Sequence, residues 1–128
     1  MAATDIPDSV RRFIATNIPS IPYLEALLLL RSDTLAPWDA TRLARALYID
    51  EATALSLLDE LNTRGVVTPA AAPATFCYQP ISDALAHMID ALADVYATHL
   101  VDVTNLVHAR SSRKAQRFAD AFVWRKDS

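Results

Sequence analysis

The 128-residue chain contains one glycine and one cysteine. With only Gly65 to supply positive φ freely, tight primed hairpin turns are scarce, which argues against an all-β fold. The same scarcity excludes a glycine-rich phosphate cradle, so neither a dinucleotide fingerprint nor a P-loop can be built. The lone Cys77 excludes an internal disulfide framework and fits a reducing compartment. The longest apolar run, Ala26 to Leu30, falls far short of the about 20 residues that span a bilayer. The amino terminus carries Asp5 and Asp8 without a leading basic cluster, which is not the pattern of a secretory signal. The expected compartment is the cytoplasm, with no membrane partner.

Apolar residues make up 52% of the chain and charged residues 21%. That balance predicts one globular domain with a single core. Alanine and leucine dominate, and both favour helix. The net charge of −3 hides an uneven distribution. Residues 33–102 hold ten acids and three arginines, whereas residues 103–128 hold six basic residues and two acids. A strong non-specific nucleic-acid binder usually carries more positive charge than this.

Hydrophobic spacing and end signals predict a mainly helical chain. A short helix is expected over 8–18, capped by Asp8 or Ser9, with Val10, Phe13 and Ile14 inward. Pro19 ends it. A second helix is expected over 21–31, with Pro22 tolerated in its first turn. Its Leu27 to Leu30 cover more than one face, which implies deep burial or contact with a second chain. A third helix over 39–48 is capped by Asp39, and a fourth over 51–63 by Asp50. Two short strands follow near 66–68 and 75–79, joined by a tip at Pro69 to Pro73, where proline is tolerated. Ser82 caps a long helix to about His99, with Leu85, Met88, Ile89, Leu92 and Tyr96 inward. Further helices are expected over 102–109, with Val103, Leu106 and Val107 inward, and over 112–125.

Residues 39–67, DATRLARALYIDEATALSLLDELNTRGVV, carry the clearest pattern. Leu43 and Leu47 share one face, and Ala54, Leu57, Leu58 and Leu61 share another. Arg64 and Gly65 end the second helix before Val66 and Val67 turn extended. This stretch resembles the winged helix-turn-helix of bacterial regulators of the multiple-antibiotic-resistance-repressor (MarR) type. The likeness covers residues 39–80 and is carried chiefly by Leu43, Leu47, Leu57, Leu61, Gly65 and Val67. It implies a mainly α fold with a two-stranded β wing, a core over 20–80, and helical extensions at 8–18 and 82–125. It further implies a homodimer formed through the end helices, and a transcriptional regulator that binds duplex DNA. The closing stretch from Arg117 to Phe122 is similar to the ends of small bacterial winged-helix proteins.

On that resemblance the DNA-contacting residues are Arg42, Arg45, Thr53, Ser56, Thr63 and Arg64. The outward face of the reading helix carries Thr53, Ser56, Glu60 and Thr63, flanked by Asp59 and Asn62. DNA-reading helices rely on Arg, Lys, Asn and Gln, and here Arg64 is the one base. Arg42 and Arg45, three apart, share a face that would meet phosphate; alternatively they are simply solvated, or pair with Asp39 and Glu25. The wing tip holds no charge, whereas DNA-binding relatives often place Arg or Lys there. The alternative is therefore a protein-interaction module, acting as an adaptor or as an antagonist of a regulator. Its surface would be the acidic reader face, the wing tip or the leucine-rich second helix.

The remaining candidates are weaker. Arg113, Lys114 and Arg117 would line one side of the last helix opposite Phe118 and Phe122, serving either as a phosphate contact or as the rim of a dimer interface. His87, Asp90 and Asp94 lie on one helix side, but no second cluster completes a four-ligand site. No nucleophile elbow or activated-cysteine context is present. Neither an enzyme nor a cofactor is expected.

Overall fold

The computed structural model describes residues 6–109. Five named helices and one hairpin run α1 (Asp8–Asn17), α2 (Ile21–Ser32), α3 (Ala40–Leu47), α4 (Glu51–Thr63), β1 (Val67–Pro69), β2 (Phe76–Tyr78) and α5 (Asp83–Thr98). Residues 100–109 are again helical and are termed α6. The chain is thus mainly helical with a small two-stranded antiparallel sheet. The helix expected over 112–125, with Arg113, Lys114 and Arg117, lies outside the described residues.

Side-chain caps set most helix starts. Backbone N–H groups of the first turn lack intrahelical acceptors, and a short polar side chain supplies one. Ser20 accepts from the Tyr23 N–H, Asp39 from that of Arg42, Asp50 from that of Thr53 and Ser82 from that of Leu85. The expectation for α1 fails. Pro7 occupies the cap position without a side-chain bond, and Asp8 is the first helical residue. Pro7 still contributes its carbonyl, which accepts from Arg11 N–H at 3.0 Å. Asp8 is left to interact favourably with the positive end of the helix dipole.

α2 is the central element. Tyr23, Leu24, Ala26, Leu27 and Leu30 are buried, and Leu28 and Leu29 are partly buried against the same core. Deep burial holds for Leu27 and Leu30, while Leu28 and Leu29 keep part of their surface open. It packs on α3, α4 and β2, and α1 packs on α5. Ala54, Leu57, Leu58 and Leu61 bury one face of α4 as their spacing predicts. Each large side chain so buried contributes about 1.5–3 kcal/mol relative to exposure. Val103 and Val107 close the core from α6.

Three-residue connections shape the centre of the chain. Tyr48, Ile49 and Asp50 join α3 to α4, with Tyr48 in the left-handed region at φ 57° and ψ 47°. At the far end of α4, Gly65 turns the chain at φ +78°. The backbone angle requires glycine, and a Cβ there would lie 2.9–3.0 Å from three side-chain atoms of the largely exposed Ile81, which would have to shift.

The hairpin sits one residue later in its first strand than expected. Val67 pairs with Tyr78, Thr68 with Cys77 and Pro69 with Phe76. Pro69 therefore belongs to the strand, not to the tip. Trp38 adds a bridge that the sequence did not reveal: its N–H and carbonyl exchange 2.8 Å hydrogen bonds with Phe76. The segment before α3 is thereby fastened to the hairpin.

Candidate recognition surface

Helical periodicity places the outward residues of α4 opposite its buried stripe. Thr53, Ser56, Asp59, Asn62 and Thr63 are exposed, together with Glu51, Ala52 and Leu55. The structure thus brings Thr53, Ser56 and Thr63 onto one accessible helix. It does not bring free arginines beside them.

Arg64 is tied down by its own helix. Its Nη2 lies 2.9 Å from Glu60 Oε2, and its Nε donates to the same oxygen at 3.0 Å. Its guanidinium also stands 5.7 Å from the ring centre of Tyr23. Tyr23 is buried, and that burial raises its pKa above the usual tyrosine value, with the nearby Arg64 opposing. Asp50, at the start of α4, is held below the usual carboxylate range by the hydrogen bonds it accepts from Thr53.

Arg42 is occupied as well. It forms an ion pair with Asp33, not with the Asp39 and Glu25 expected as partners. Its Nη1 donates to the carbonyls of Ala36 and Pro37 at 3.1 and 3.2 Å. The guanidinium lies 3.6 Å from the Trp38 ring centre, a cation–π stack. Trp38 Nε1 donates to the Asp33 carbonyl at 3.0 Å. One arginine thus fastens the whole 33–38 connection. The signal in the sequence was the aromatic residue four positions before Arg42, within reach of a cation.

Arg45 is the exception among the expected basic contacts. It is exposed and has no ion-pair partner among the described residues. It borders a shallow open depression with Asp39, Thr41, Arg42 and Ala46. The hairpin tip brings no positive charge nearby. Ala71, Ala72, Pro73 and Ala74 are exposed there, and Thr75 pins the turn by donating from N–H and Oγ1 to the Ala72 carbonyl.

Sequence reasoning missed the exposed apolar residues. Tyr48 is 95% exposed and Leu35 96%, while Ile81, Val101, Leu100 and Leu55 are also open to solvent. Periodicity could have singled out Leu55, which falls outside the buried stripe of α4.

The titratable cluster on α5 resolves differently from a ligand set. Asp90 pairs with Arg31 of α2 at 2.9 Å, leaving His87 and Asp94 on the exposed side. Among the described residues, no three His, Cys, Asp or Glu side chains are placed to hold a metal ion. Nor is any single described helix long and apolar enough to cross a membrane. Cys77 is half-exposed on β2.

Comparison with known proteins gives no match to a family model, to a curated protein or to a solved structure.

Proposed function

We propose that this chain is a winged-helix recognition module whose α4 face meets protein in preference to duplex DNA. The α3, turn, α4 and hairpin succession, with Trp38 bridging to β2, supports the winged-helix assignment. The observation that carries the functional choice is electrostatic. Two of the arginines expected to contact DNA, Arg42 and Arg64, are neutralised by Asp33 and Glu60. Glu51 and Asp59 stand exposed on the helix that would enter the groove. Affinity for DNA comes chiefly from neutralising phosphates, and this face opposes them.

DNA binding is the second reading. It is favoured by the exposure of Thr53, Ser56 and Thr63, with Arg45 free on the preceding helix. A homodimer of this kind would space its α4 helices roughly 34 Å apart, one turn of DNA.

Size exclusion coupled to light scattering separates the two. The expected result is a homodimer whose elution and mass are unchanged by random-sequence duplex at low salt. A complex of protein and duplex under those conditions that is weakened by Arg45→Ala would overturn the protein-facing reading.

A further inference from the structure

Two exposed carboxylates and an exposed leucine fall in line along α4. Glu51, Leu55 and Asp59 are four residues apart, so they are successive neighbours on one helix surface. At a rise of about 1.5 Å per residue the three span about 12 Å. All are open to solvent, Leu55 by 42%. Neither Glu51 nor Asp59 has an ion-pair partner among the described residues, whereas Glu60 of the same helix is paired with Arg64. Tyr48 stands at the entry to this face. It precedes Glu51 by three residues, which keeps the two Cα atoms within about 11 Å of each other. Tyr48 is 95% exposed, and its backbone is left-handed, the conformation that a helix C-terminus ordinarily gives to glycine. The fold gains almost no burial from a side chain at that costly position.

These features define the chemistry of an occupant. A convex helix face gives a small molecule no enclosure. Its sequence of acid, apolar residue and acid suits an elongated partner with base, apolar residue and base at matching intervals. A helix laid along α4 repeats the same spacing between residues eight apart. Arginine fits better than lysine, because its planar fork takes a carboxylate through two hydrogen bonds and its guanidinium stacks on an aromatic ring. Both kinds of acceptor are present: the carboxylates on α4, and the Tyr48 ring, which no described cation covers. We infer that Tyr48, Glu51, Leu55 and Asp59 form the docking face for an arginine-bearing amphipathic helix of a second protein. The inference rests on reading α4 as protein-facing and names the kind of protein segment that the face takes. In the complex, arginines eight residues apart pair with Glu51 and Asp59, and an apolar residue midway between them covers Leu55. A further arginine one turn beyond stacks on Tyr48. Duplex DNA is repelled by the same carboxylates.

The test titrates the full chain, labelled with nitrogen-15, with synthetic alanine-based helical peptides. One carries arginines eight residues apart, a leucine midway between them and a third arginine one turn beyond. The control carries glutamate in place of each arginine. The expected result is saturable shifts of the Tyr48, Glu51, Leu55 and Asp59 amides with the arginine peptide alone, weakening as salt rises. Glu51→Lys with Asp59→Lys lowers that affinity about tenfold and lets the glutamate peptide bind, a gain that an unfolded chain would not show. Tyr48→Gly weakens the arginine peptide about two- to fivefold without loss of thermal stability. No shifts with the arginine peptide, shifts centred away from α4, or affinity that survives the charge reversal overturns the inference. So does a dependence of the same amides on chain concentration without peptide, which assigns the face to a second copy. Random-sequence duplex is titrated in parallel. Duplex that shifts the α4 amides overturns the protein-facing reading itself, whereas silence toward both duplex and arginine peptide overturns only the assignment of an arginine-bearing helix.

Discussion

Gly65 and Tyr48 hold the same kind of backbone angle with opposite consequences. Gly65→Ala puts a Cβ against Ile81 and forces an alanine into the left-handed region. The expected loss is about 1–2 kcal/mol from the angle alone, read as a lower midpoint in urea. Tyr48→Gly relieves the strain that Tyr48 carries but frees the unfolded chain, for a net gain on the order of 0.5–1 kcal/mol. Two titrations follow from the site. The depressed Asp50 pKa, caused by its hydrogen bonds from Thr53, stabilises the fold above the unfolded value of about 3.9. That contribution is lost as pH falls through the lower folded value, and Asp50→Asn flattens this limb of an acid melting series. Tyr23 acts in the opposite direction. Its raised pKa means that above pH about 10 the unfolded chain loses a proton that the native chain keeps, so stability declines as pH rises. Tyr23→Phe reduces the alkaline slope measured by denaturant midpoints.

At the scale of elements, what could be read from sequence was what is encoded locally. The caps at Asp39, Asp50 and Ser82, the α4 stripe and the turn at Gly65 each depend on residues a few positions apart. The bridge between Trp38 and Phe76 depends on a distant pairing and has no local signature. The Arg42 partner was missed for a related reason. Asp39 is engaged in capping α3, and the folded 33–38 connection brings Asp33 within reach instead. The α1 start differs because Pro7, which has no side-chain acceptor, takes the cap position and leaves Asp8 as the first helical residue. Arg42 makes this connection testable. Arg42→Ala removes a partly exposed ion pair and a cation–π stack, with an expected cost of about 1–2 kcal/mol. Arg42→Lys recovers less than a conservative change suggests, since lysine lacks the planar fork that stacks on Trp38 and reaches two carbonyls. Thermal melts of both variants, followed by amide exchange at Leu35 and Trp38, check this. In the core, Leu58→Ala or Leu61→Ala on α4 costs about 2–5 kcal/mol, measured the same way.

The whole molecule has a charge distribution that separates fold from activity. The leucine skeleton of residues 39–67 predicts two helices leading into a strand, and these are observed. Function depends on the residues the skeleton leaves outside, and there Thr53, Ser56 and Thr63 are accessible while Arg42 and Arg64 are spent on internal ion pairs. The Glu60–Arg64 pair has the i,i+4 spacing that sequence displays, whereas the Arg42–Asp33 pair depends on the folded 33–38 connection. The most direct measurement is fluorescence anisotropy of a labelled random-sequence duplex, titrated with the full chain over a salt series. A protein-facing α4 predicts no binding even at the lowest salt. Binding with log K falling linearly in log salt, with a slope of about −0.9 per phosphate neutralised, and weakened by Arg45→Ala, would contradict it.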